Sequence, residues 1–87
     1  YYPAFLYKNE DRVYLANKVL DPHTTKLDAG ADPRGEAAYA KFSQKEYAND
    51  LIFDELISFV GQNRKKPFFL MWTTPLPHVS LQAPEKW

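Results

Sequence analysis

Two histidines, His23 and His78, are the side chains of this sequence best suited to proton transfer, because imidazole changes charge near neutral pH. Their surroundings differ. His23 lies in Asp21-Pro22-His23-Thr24-Thr25, a polar turn sequence, and reads as a turn residue. His78 follows Pro75-Leu76-Pro77, a few residues after the apolar run Phe68-Phe69-Leu70-Met71-Trp72. The prolines stiffen the chain ahead of it, which suits a side chain held ready for a ligand. Such a histidine could donate to a developing anion or serve as a general acid. Its plainer reading is a loop residue that caps a carbonyl. The histidines are far apart, with no carboxylate at ligand spacing, so the sequence gives no metal motif.

The remaining polar residues are weaker candidates. Asp50 and Asp54 are i, i+4 neighbours, and with Glu55 they read as the solvated side of a helix. Asn49 falls nearer the apolar stripe and is expected to make a structural hydrogen bond. Thr73, Thr74 and Ser80 could supply hydroxyl contacts. There is no Gly-x-Ser-x-Gly elbow, and the only glycines, at 30, 35 and 61, cannot build a phosphate loop. With no cysteine, thiol chemistry, disulfides and cysteine-type zinc sites are excluded.

These residues need elements to position them. Ala4-Phe5-Leu6-Tyr7 and Arg12-Val13-Tyr14-Leu15 flank the polar Lys8-Asn9-Glu10-Asp11, which predicts a hairpin within residues 1–15. Residues 16–42 carry Asp21-Pro22, Asp28-Ala29-Gly30 and Asp32-Pro33-Arg34-Gly35, all turn signals, and read as a long loop. A short helical turn is possible at Glu36-Ala37-Ala38-Tyr39-Ala40. Residues 43–62 predict a helix opened by the capping box Ser43-Gln44-Lys45-Glu46 and stopped by Gly61. Its apolar residues recur at Tyr47, Ala48, Leu51, Ile52, Leu56, Phe59 and Val60, widened by Phe53 and Ile57. Residues 67–74 predict a strand buried on both faces, because Phe68 to Trp72 do not alternate with polar residues. Residues 75–87 form the loop beyond it, at the sheet edge where α/β folds bind ligands.

The expected class is therefore α/β, with half of a βαβ unit present and its parallel partner strand missing. The large aromatics at both ends, Tyr1, Tyr2 and Trp87, also suggest a piece of something longer. At 87 residues the chain makes one small domain at most, and 45% hydrophobic residues are too many for a disordered one. Eleven basic and eleven acidic residues cancel, which removes the electrostatic argument for nucleic acid or an anionic membrane. The apolar run is too short to span a bilayer.

The stretch Lys66-Pro67-Phe68-Phe69-Leu70-Met71-Trp72-Thr73-Thr74-Pro75-Leu76-Pro77-His78-Val79-Ser80-Leu81-Gln82-Ala83-Pro84 resembles the Lys-Pro-Phe-Phe-Leu … Pro-His-x-Pro-x-x-Ala-Pro stretch of the formylglycine-dependent sulfatases. These are the arylsulfatase-type members of the alkaline-phosphatase-like superfamily. The helix from Tyr47 to Val60 and the opening Pro3-Ala4-Phe5-Leu6-Tyr7-Lys8-Asn9 are also similar to segments of that family. The resemblance implies a central slice of an alkaline-phosphatase-like doubly wound sheet, whose intact parent hydrolyses sulfate esters. It implies that His78 contacts the sulfate or the leaving oxygen, and that the parent carries calcium and a formylglycine. It also implies an exported (periplasmic or extracellular) or lysosomal location. This chain departs from the family in having no Cys/Ser-x-Pro-x-Arg motif, no counterpart of the metal-binding Asp and Asn residues, and Ser80 where the family commonly has proline. The slice alone is expected to be inactive, and to associate with the rest of its domain or with itself. Two alternatives stand beside this reading: a non-catalytic interaction module that pairs its strand edges, and a piece of a related phosphoesterase or phosphonate hydrolase.

Overall fold

The computed structural model describes residues 1–21, 23–78, 82 and 84. Two short strands, β1 (Phe5–Lys8) and β2 (Asp11–Tyr14), pair antiparallel with Phe5 opposite Tyr14 and Leu6 opposite Val13. A further bond from the Leu15 amide to the Ala4 carbonyl, at 2.8 Å, extends the ladder. The loop is only Asn9-Glu10, and Asn9 takes φ 58°. That conformation favours asparagine or glycine and penalises a β-branched side chain. Asn9→Val is expected to cost about 1 kcal/mol or more in a denaturant titration, whereas Asn9→Gly should be close to neutral.

Strand alternation separates the hairpin's two faces. Phe5, Tyr7, Arg12 and Tyr14 share the outer one. There the Arg12 guanidinium lies 4.7 Å from the Phe5 ring centre and 5.7 Å from that of Tyr7. Leu6 and Val13 share the other, and border with Leu51 and Ile52 a cleft of 530 Å³ between hairpin and helix. Lys8 and Glu55 pair across that cleft. Both are exposed, so the pair adds little to stability.

The long loop is tied down by turns closed at Asp21, Asp28 and Asp32, and by an ion pair of 2.7 Å from Lys41 to Asp28. Gly30 takes φ 81° in the second of these turns. The helical turn expected at 36–40 is a 3-10 helix, η1, over Glu36–Phe42.

The main helix, α1, runs from Ala48 to Asn63, not from residue 43. The capping box does not form, because Glu46 and its neighbour Gln44 are used elsewhere. Gln44 Oε1 accepts from the Lys18 amide at 2.7 Å, and Glu46 Oε2 accepts from the Ala16 amide. The Glu46 amide donates to Asn17 Oδ1 at 3.0 Å, and Asn17 Nδ2 donates to the carbonyls of Pro3 (3.1 Å) and Glu46 (2.8 Å). Residues 44–46 are thereby held against residues 16–18, Tyr47 is extended, and helix begins only beyond it. Gly61 lies inside α1 and does not end it.

The strand expected over residues 67–74 is absent. The chain turns at residues 64–66 and runs back along α1, with Phe68 against Phe59 (5.5 Å) and Trp72 against Phe53 (5.8 Å). No ladder forms, and the run is exposed, Phe69 at 83% and Met71 at 71%. The physical reason is the lack of a partner: β1 and β2 pair with each other, and no other strand exists among the described residues. The broad apolar surface of α1 is likewise only partly covered, with Ile52, Phe53, Ile57 and Phe59 exposed. The observed class is thus a small α/β chain, a hairpin plus two helices. Ser80 and Trp87 fall outside the described residues, as does much of the loop expected over 75–87. No helix of the described residues is long and apolar enough to cross a membrane.

Candidate functional site

The return of the chain along α1 carries His78 back toward the start of that helix. Three tyrosines gather there. The Tyr47 ring meets those of Tyr1 at 6.0 Å and Tyr2 at 5.4 Å. The Tyr1 hydroxyl donates to the His78 carbonyl at 2.8 Å, and more weakly to that of Pro75 at 3.4 Å. The Tyr47 hydroxyl donates to the Gln82 carbonyl at 3.1 Å, and the terminal ammonium of Tyr1 donates to Gln82 Oε1. The Ala48 amide, first in α1, donates to the Tyr1 carbonyl at 3.0 Å. Both ends of the described chain are thus tied to the N-terminus of α1. The His78 side chain is exposed.

Burial raises the pKa of the Tyr47 phenol, while the nearby Asn49 amide pulls the other way. No bond of normal geometry joins them, since neither polar atom of the Asn49 side chain has a partner. Burial also pushes the Tyr1 amine below its ordinary value. The sign for Tyr47 follows from linkage. A phenol whose pKa is raised by folding contributes stability that is present below about pH 10 and lost as pH rises through its folded-state pKa. Melting curves between pH 8 and 11 should therefore show an alkaline fall that is shallower in Tyr47→Phe.

The other sequence candidates are scattered. His23 is exposed, and its amide donates to Asp21 Oδ1 at 2.7 Å, as a turn residue would. Asp54 is exposed and Asp50 half-buried on α1. The Thr74 hydroxyl accepts from the Leu76 amide at 3.2 Å. Among the described residues, no three His, Cys, Asp or Glu side chains gather as metal donors. Asn49 is buried at 6% exposure without the hydrogen bond expected of it.

Sequence reasoning missed Tyr1, Tyr47 and Asn17 as positioning residues. Large aromatics at the opening of the chain were the available signal for the first. Nothing local marks Asn17, whose partners lie far along the chain. Compared with known protein-family models and with curated proteins, the chain matches none.

Proposed function

We propose that this chain is a segment of a sulfatase-type hydrolase that cleaves sulfate esters, with His78 meeting the sulfate or the leaving oxygen in the intact parent. The observation that carries this reading is the Lys66 to Pro84 stretch, whose Pro77-His78 dipeptide follows an apolar run in the order the family uses. The path of that run lends support. It lies back along α1 as the strand of an α/β unit would, leaving apolar faces that a larger sheet would cover. In the intact parent that run would be a strand of the larger sheet, with His78 just beyond its carboxyl end, where such sheets bind ligands.

Neither calcium nor formylglycine fits the residues present. The chain has no cysteine and no serine followed by x-Pro-x-Arg, and its described acids do not converge. Both groups belong to other segments of the parent. The role left to this chain is to orient a proton donor: prolines and the Tyr1 hydroxyl fix the backbone around His78.

The test is an assay of the full-length parent against 4-nitrophenyl sulfate, 4-nitrophenyl phosphate and a phenylphosphonate ester, with its upstream sequence read alongside. Fastest cleavage of the sulfate, with a Cys/Ser-x-Pro-x-Arg motif upstream, supports the reading. Preference for phosphate or phosphonate moves the chain to a related phosphoesterase. No esterase activity leaves an interaction module that pairs through residues 67–74.

A further inference from the structure

Exposure along the apolar run alternates. Phe68 and Trp72, which lie against α1, are 43% and 46% exposed, and Leu70 between them is 41% exposed. Phe69 and Met71 are 83% and 71% exposed. That two-residue period belongs to an extended strand with one face on a helix. Among the described residues, however, no backbone–backbone hydrogen bond joins residues 67–74 to another segment, so the ladder groups are open to a partner. Around the run, nine large apolar side chains from Ile52 to Trp72 are at least 36% exposed, about half on average. At roughly 200 Å² for such a side chain in full exposure, they present on the order of 900 Å². The largest apolar patch of an ordinary monomer is about 300–600 Å². Each side of a stable dimer buries about 800 Å².

We infer that two copies of this chain pair residues 68–74 antiparallel, across a two-fold axis at Met71. Charge sets the direction. The first half of α1 carries Asp50, Asp54 and Glu55, and Arg64, Lys65 and Lys66 follow its end. Because the run lies back along α1, its start is basic and its end lies beside the acids. A parallel pair would set like charges side by side. An antiparallel pair brings each copy's lysines to the acidic end of the other. The prolines set the register, since Pro67 and Pro75 have no N–H to give a ladder. Centring on Met71 pairs all seven residues between them, with Phe68 opposite Thr74 and Phe69 opposite Thr73. The two α1 helices then lie on one face of the new ribbon, oppositely directed, and each covers apolar surface the other leaves exposed. The inference concerns this chain by itself and does not rest on the sulfatase reading. In a sulfatase parent a neighbouring strand would take the same edge, so failure of either leaves the other standing.

The chain has no cysteine, so a single introduced thiol reports on the pairing without ambiguity. Met71 sits opposite its own copy at a Cα separation of about 4.5–5.5 Å, within disulfide reach. Met71→Cys should therefore oxidise mainly to a linked dimer. Phe69→Cys should not, because its two copies stand four residues apart along the ribbon, about 13 Å. The unaltered chain should sediment as a dimer. Met71→Lys sets like charges directly opposite each other and should leave a monomer. Met71 is exposed, so the melting curve of that variant at high dilution should match that of the unaltered chain. Reversing Lys65 and Lys66 together to glutamate should weaken the dimer at least about tenfold. The inference is overturned if the unaltered chain sediments as a monomer or as a ladder of larger species. Equal cross-linking at positions 69 and 71 would show parallel pairing and overturn it as well. So would a dimer that survives Met71→Lys.

Discussion

If the proposed sulfatase reading holds, replacing His78 by alanine in the full-length parent should lower sulfate-ester turnover by at least about a hundredfold. A group that donates to the leaving oxygen acts as charge develops, so kcat and kcat/KM should fall together. The backbone geometry makes the experiment clean. Tyr1 donates to the His78 carbonyl, and that bond does not depend on the side chain. His78 is exposed, and a melting curve of the alanine variant separates lost turnover from lost fold. His78→Gln divides the two possible roles. Glutamine keeps an N–H donor but cannot give up a proton near neutral pH. If hydrogen bonding is the main contribution, glutamine should restore part of the lost rate. If proton donation is, it should be as slow as alanine. Near-normal turnover of the alanine variant would remove His78 from the mechanism.

Tyr47→Ala should destabilise the chain by about 2–3 kcal/mol, approaching the loss from truncating a buried aromatic. The ring contacts Tyr1 and Tyr2 and its hydroxyl holds the Gln82 carbonyl, so one truncation loosens both ends of the described chain, leaving the bond from the Ala48 amide to the Tyr1 carbonyl to hold them to α1. So small a domain holds only a few kcal/mol in reserve. Most of the chain should then unfold at urea concentrations that the parent sequence tolerates. Tyr47→Phe keeps the rings and loses one hydrogen bond, a cost of about 1 kcal/mol. Amide exchange at residues 75–78 should accelerate in the alanine variant before exchange within β1 and β2 does. An alanine variant with unchanged urea midpoint would mean that the tyrosines touch without holding anything.

What the sequence made legible was local. The hairpin could be read from two short apolar runs around Asn9-Glu10, and α1 from its 3.6-residue apolar spacing. The start of α1 could not, because Gln44 and Glu46 are taken by residues 16–18, far away along the chain. A capping box is a local preference, and five longer-range hydrogen bonds between residues 44–46 and 16–18 outcompete it. The strand over 67–74 failed for a related reason. Its composition suits a buried strand, yet a strand exists only where another strand accepts its hydrogen bonds. For the site, proline stiffening identified His78 as a candidate, but its neighbours Tyr1 and Tyr47 emerge only once the chain has doubled back along α1.

The run from Phe68 to Thr74 has one more consequence. It holds seven consecutive residues with no charge, no proline and no glycine, and it lies outside any ladder. Such segments are the seeds of cross-β fibrils, in which identical chains stack at a repeat of about 4.7 Å and interlock their side chains dry. Lys65, Lys66 and Pro67 stand immediately before the run and Pro75 immediately after it. Charge and proline in those places act as gatekeepers against stacking. Neutralising Lys65 and Lys66 would remove the electrostatic guard on one side, and a lag phase in thioflavin fluorescence should shorten as the ionic strength rises and screens the same two charges.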